Sequence, residues 1–248
     1  MVSKTQTGHV KNLANLDELI SFVTGYGATY NPSKASLKLA ALQALSTNGK
    51  NAVNAVNNAI PALGNAVAAR KTAFQPLNKL VTRVNSSLKA TDTSAPINEN
   101  ANSLVHKIQG KRITAKKTEE EKAAAKAEGK EIKEISSTQM SYDMRLDNFD
   151  KLIKLLSTLP LYTPNEADLK VAALTVLYND LKTKNAAVVN AATTLSNARI
   201  TRDDILYKEV VGLVDISLDV KNYILSLFGT TSPQYKQVSS LRFKRLKT

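Results

Sequence analysis

Between Leu39 and Leu88, positions taken at alternating steps of three and four read Leu39, Leu42, Ser46, Gly49, Val53, Val56, Ile60, Leu63, Val67, Arg70, Phe74, Leu77, Val81, Val84 and Leu88. This is an a/d heptad seam in one phase, and it predicts a long helix packed along another helix. Uninterrupted, it would be about 75 Å long. Upstream, Leu16, Leu19, Ile20 and Val23 share one face of a shorter helix expected over residues 13–24 and closed by Gly25 and Gly27. Residues 1–11 are polar and expected to be loose. Asn31 and Pro32 are placed at the start of the long helix, as cap and first turn.

The pattern returns about 132 residues later. Between residues 30–73 and 162–205, 18 of 44 positions are identical without a gap, including Tyr30/Tyr162, Pro32/Pro164, Leu42/Leu174, Lys50/Lys182, Leu63/Leu195 and Arg70/Arg202. An ungapped match of this quality that also aligns Tyr, Pro and Arg reads as a tandem duplication. Breakers in one copy can be checked against the other. Asn48-Gly49, Pro61 and Gly64 face Asp180-Leu181, Thr193 and Ser196, so the long helix is expected to run through them, and Pro76 to kink it. In the second copy Thr163-Pro164-Asn165-Glu166 has the form of a capping box, and the seam resumes after Ile205 with one extra residue, at Val210, Leu213, Ser217, Val220, Ile224 and Leu227.

The expected organisation is a loose terminus over 1–11, repeat one over 12–112, a charged linker over 113–144 and repeat two over 145–248. The linker carries near-balanced lysine and glutamate with little apolar content, as in KKTEEEKAAAKAEGKEIKE. The fold class is all-α, with two long helices packed antiparallel about a pseudo-twofold and short helices covering them. The alternative folds each long segment into a helical hairpin, turning near 47–51 and 179–185.

Composition narrows the chemistry. The 248 residues contain no Cys and no Trp, which excludes disulfides, zinc–thiolate sites and thiol catalysis. No run approaches 18 consecutive apolar residues and the N-terminus has no apolar leader core, so the expectation is a cytoplasmic protein with no membrane segment. The formal net charge is +13, and the 73 residues between Glu18 and Asp92 hold no acid but carry Lys34, Lys38, Lys50, Arg70, Lys71, Lys79, Arg83 and Lys89. Such a one-signed stretch attracts polyanions.

Both copies also end in basic clusters: Lys107, Lys111, Arg112, Lys116 and Lys117 in the first, Arg242, Lys244, Arg245 and Lys247 in the second. Paired patches of this kind suit a repeating phosphate backbone, with His106 and Phe243 beside them as candidate stacking groups. The plain structural reading is cations set favourably near helix carbonyl ends. Arg70 and Arg202 fall on the seam, where a charge fixes register if it is paired; Asp203 and Asp204 are the expected partners of both. His9 and His106 lack partners at metal-ligand spacing, and no phosphate loop, Ser/His/Asp order or paired-acid pattern occurs. No catalysis, cofactor or small-molecule substrate is expected.

The boxes Gly25-Tyr26-Gly27, Tyr30-Asn31-Pro32-Ser33-Lys34-Ala35, Tyr162-Thr163-Pro164-Asn165-Glu166, Leu195-Ser196-Asn197-Ala198-Arg199 and Ser232-Pro233-Gln234-Tyr235-Lys236-Gln237 resemble those of a family of bacterial proteins of about this length. The resemblance spans nearly the whole chain. It implies a bacterial, cytosolic origin, and it brings no activity, ligand or site residue with it.

These readings converge on a non-catalytic helical protein that holds a polyanion, nucleic acid or a ribonucleoprotein first, without reading sequence. The alternative is a structural protein that assembles through its seams into homo-oligomers or filaments.

Overall fold

The computed structural model describes residues 4–111 and 141–245, which form helices and no strand. Among the described residues the α-helices are α1 (Lys4–Gly25), α2 (Leu39–Phe74), α3 (Leu77–Lys89), α4 (Ala95–Gln109), α5 (Tyr142–Ser157), α6 (Val171–Tyr207), α7 (Leu213–Phe228) and α8 (Pro233–Ser239). The all-α expectation holds. No described helix is long and apolar enough to cross a membrane. The segment 113–140, most of the expected linker, lies outside the described residues.

The two long helices are continuous over 36 and 37 residues, about 54–56 Å each, so neither folds back as a hairpin. Pro61 is accommodated inside α2 at an exposed position. At Gln75-Pro76 the helix is interrupted by a turn rather than kinked, because Pro76 has no N–H to continue the ladder. The break in the second half is larger. Residues 208–212 form a tight turn in which Val210 adopts a positive φ of 69° and donates its N–H to Asp215 Oδ2 at 2.8 Å. Gly212 is obligatory there, since a Cβ would stand 2.6 Å from the Lys208 carbonyl oxygen, a backbone atom that cannot step aside.

Three local expectations change. Helix α1 starts at Lys4 rather than Leu13, and His9 within it is fully buried, so residues 4–11 are not loose. Pro32 does not sit in the first turn of α2: a single 3-10 turn, Ala35–Leu37, comes between them. The Thr163–Glu166 box likewise opens no α-helix, because a 3-10 turn at Ala167–Leu169 precedes α6. Both turns are held by a buried tyrosine. The Tyr30 hydroxyl donates to the Leu37 carbonyl at 2.8 Å, and the Tyr162 hydroxyl to the Leu169 carbonyl at 2.9 Å.

The chain divides into two compact units, residues 1–64 with 191–248 and residues 65–190. They differ from the expected contiguous division at 12–112 and 145–248. The reason is that each long helix outlasts one core, so the first part of α2 and the last part of α6 serve unit one while their remaining parts serve unit two. In unit one, Leu19, Val23, Tyr30, Leu37 and Leu42 pack with Ile216, Val220, Ile224, Val238 and Leu241; an adjoining cluster joins Leu13, Leu16 and Val53 to Leu206 and Leu213. In unit two, Phe74, Leu77, Val81, Val84 and Leu88 pack with Leu104, Ile108, Phe149, Leu152, Leu156, Leu174 and Leu181. The seam is therefore buried at both ends of 39–88 and lapses between, with Ile60 43% and Val67 41% exposed.

Candidate polyanion-binding surfaces

The first predicted basic cluster belongs to unit two. Helix α4 starts after Ser94 with Pro96 in its first turn and ends at Gly110, whose φ of 68° suits the left-handed C-cap. Its last turn carries Lys107, half-buried, and Lys111 follows, exposed, with its N–H bonded to the His106 carbonyl at 2.9 Å. Arg145 on α5 fixes this end by donating to the Ile108 carbonyl at 3.1 Å and to Asn78 Oδ1 at 2.9 Å. Burial lowers the Arg145 pKa, but the guanidinium keeps both acceptors. His106 has a buried Nδ1 without a partner among the described residues. Arg112, Lys116 and Lys117 lie outside the described residues.

The second cluster belongs to unit one and is built differently. After α8 the chain leaves the helix and runs from Leu241 to Arg245 without regular structure, with Leu241 buried, Arg242 exposed, Phe243 half-buried and Lys244 exposed. That alternation is the period-two pattern of an extended strand. Phe243 packs against both apolar clusters of unit one, so it does not stand out as a stacking group.

Side chains hold the backbone of this segment. Asn12 on α1 donates to the Lys244 carbonyl at 2.8 Å and accepts from the Lys244 N–H at 3.1 Å, copying the pairing a neighbouring strand would give. Asn15 donates to the Arg242 carbonyl at 2.8 Å. Lys221 on α7 donates to the carbonyls of Ser239 at 3.0 Å and Leu241 at 2.8 Å. Its pKa is lowered by burial, and the ammonium is spent inside the fold. Arg245 is also committed, donating to the Tyr207 carbonyl at 3.0 Å and pairing with Asp215 at 2.5 Å. The Val210 N–H, then Arg245, keep the Asp215 carboxyl below the usual range. Arg242 and Lys244 have no ionic partner among the described residues. Lys247 lies outside the described residues.

The seam arginines are both accommodated, with different partners. In unit two Arg70 stacks 3.9 Å from the Tyr142 ring centroid and donates to Asn185 Oδ1 at 2.9 Å, while Asn185 donates to Asp143 at 2.7 Å. In unit one Arg202 is 6% exposed and pairs with its neighbour Asp203 at 2.7 Å. Asp203 thus serves Arg202, and Arg70 relies on an aromatic face and an amide. Sequence reasoning missed Asn12, Asn15, Lys221, Tyr142 and Asn185. The bonds of Asn12 and Asn15 to backbone more than 200 residues away leave no local trace in the sequence.

Among the described residues no three His, Asp or Glu side chains converge in a way that would hold a metal ion. A cleft in unit two is lined by Asp143, Asp147, Asp150, Tyr178 and Lys182, but Asp147 and Asp150 are paired with Lys151 and Lys154 at 2.6 Å. That arrangement is a solvated, self-compensated helix face. No family model, no curated protein and no solved structure matches this chain.

Proposed function

We infer that this chain is a non-catalytic binding protein that holds a polyanion, nucleic acid first, on basic surfaces carried by a duplicated helical scaffold. One observation carries the reading: cations outnumber acids on both units, and exposed cations without an ionic partner stand on each, although Glu18, Asp92, Glu99, Asp143, Glu166, Asp204 and Glu209 also lie outside the ion pairs of the described residues. Among the described residues, Asp17, Asp147, Asp150, Asp168, Asp180, Asp203, Asp215 and Asp219 are each engaged in an ion pair. Lys11, Lys38, Lys79, Lys89, Lys111, Lys170, Arg242 and Lys244 are exposed and have none. Unit one has 14 cationic side chains against 7 acidic ones and unit two has 20 against 14, so the surpluses are +7 and +6. A field of one sign over both units favours long anions over compact ones. A cytoplasmic setting, where nucleic acid is the abundant polyanion, is part of the reading.

The duplication is supported by paired details. The two tyrosine locks and their 3-10 turns recur at a spacing of 132, as do Leu42 and Leu174, both fully buried. Leu77, Val84 and Leu88 match Leu213, Val220 and Ile224 in burial at a spacing of 136, which supports a correspondence with four extra residues in the turn before α7. Each unit joins the early part of one long helix to the late part of the other, the result expected of helices running in opposite directions. An ion pair of reversed sign recurs on the segments before the long helices, two residues out of register there: Lys34 before α2 with Asp219 on α7, and Asp168 before α6 with Arg83 on α3, Arg83 and Asp219 matching at the spacing of 136. Pairing within one copy would set Lys34 against Arg83 and Asp168 against Asp219, so the charges favour pairing across copies.

The test is anisotropy of labelled duplex and single-stranded nucleic acid with nuclease-treated protein at about 50 and 200 mM salt. Micromolar binding at the lower salt that falls by roughly a hundredfold or more at the higher supports the reading; no binding at the lower salt contradicts it. A second reading, self-assembly, has its own observation: Val189 and Ile200 on α6 are 58% and 59% exposed, and Ile60 and Val67 stand out on α2. Sedimentation over a wide concentration range separates it, because assembly raises the mass without added nucleic acid.

A further inference from the structure

The C-terminal segment Leu241–Arg245 differs from the other basic regions in that its path is fixed without a helix. Carbonyls of Ser239, Leu241, Arg242 and Lys244 all accept from side chains of α1 and α7, and Leu241 and Phe243 are turned inward. Residues 242 and 244 are both exposed on either side of half-buried Phe243, and residues two apart in a strand-like chain have Cα atoms about 6–7 Å apart. That spacing is comparable with the step between successive phosphates on one nucleic-acid strand. The neighbouring Arg245 is tied to Asp215, so that carboxylate is already compensated.

We propose that this segment is a preorganised strap on which Arg242 and Lys244 grip successive phosphates of a single-stranded nucleic acid, with Asn12 and Asn15 as positioning residues. The proposal rests on the polyanion reading and names the place and the strand type. Fixing the backbone before binding removes the ordering cost that two cations on a free tail would meet. Removing the cations and removing the pins therefore have different signatures. Loss of two phosphate contacts lowers the salt slope on a single strand by about 1.4. Loss of the pins leaves both charges present, so the slope stays and only the affinity falls.

The experiment follows the anisotropy of labelled oligothymidine with the full-length protein across a salt series, helicity being checked by circular dichroism. Wild type is compared with Arg242→Ala/Lys244→Ala and with Asn12→Ala/Asn15→Ala; if the asparagine pair lowers helicity, Asn15→Ala alone, removing a surface bond, replaces it. The expected results are a weakening of roughly tenfold with the slope lowered for the cation variant, and several-fold weakening with the slope unchanged for the asparagine variant. If wild type binds and the cation variant keeps its affinity and slope, the strap is overturned while the polyanion reading survives on other surfaces. If the asparagine variant binds like wild type, or loses slope as the cation variant does, the positioning role is overturned. Failure of wild type to bind at low salt overturns both.

Discussion

At the residue scale the buried polar groups decide the behaviour. His9 is fully buried, with Nδ1 2.6 Å from the Tyr207 hydroxyl and Nε2 without a partner among the described residues. Burial and then the Arg202 charge hold its pKa below 6.5, with Asp203 opposing. The unfolded chain therefore takes up the proton first as pH falls. The contribution of neutral His9 is intact above about pH 6.5 and is lost as pH drops through that value toward the folded pKa. A urea midpoint lower at about pH 5.5 than at about pH 7.5 is expected, and His9→Gln should flatten the difference. The depressed carboxyls of Asp168 and Asp215 act only at lower pH. The two tyrosine locks give a second prediction. Burial pushes the Tyr162 phenol up to about 12, so it stays a donor throughout the working range. Tyr30→Phe and Tyr162→Phe each leave a carbonyl without its donor and should cost about 1–3 kcal/mol in denaturant unfolding.

At the element scale the long helices show how much a heptad pattern conveys. Leu42, Val53, Val56, Leu77, Val81, Val84 and Leu88 lie on the seam and are buried, because periodicity selects the apolar face. Ile60 and Val67 lie on the same seam and are exposed, since the pattern does not record where one core ends and the next begins. The expectation that α2 runs through Gly49, Pro61 and Gly64 holds, whereas Pro76 breaks the helix instead of kinking it. Two glycines in α2 separate propensity from packing. A Cβ at Gly64 meets nothing within 4 Å, so Gly64→Ala should stabilise by about 0.5–1 kcal/mol. A Cβ at Gly49 would come 2.5 Å from Leu13 Cδ2, in a cluster where Leu13 is 5% exposed. Overpacking there costs about 1–3 kcal/mol, so Gly49→Ala should melt no higher than wild type, and lower if Leu13 cannot turn aside. Thermal melts of the two variants check both signs. The basic clusters were legible as composition, but the pins were not: Asn12 and Asn15 gain their meaning only from backbone more than 200 residues downstream.

At the scale of the whole molecule, both surpluses of charge depend on a division in which unit one joins the two ends of the chain and unit two is the stretch 65–190 between them. The core of unit one needs α1 and α2 from the first half with α7 and α8 from the second, and the core of unit two needs α3 and α4 with α5 and α6. Each half of the chain alone would leave apolar faces of Leu42, Leu77, Leu174 and Leu213 without cover. The most direct measurement places a specific protease site within residues 112–140 of the full-length protein, cleaves it after folding and follows mass, stoichiometry and helicity in native buffer. The account predicts that the two fragments stay together as a one-to-one complex with unchanged helicity, and that urea is needed to separate them. Fragments that part in native buffer, each keeping its helicity, would contradict it.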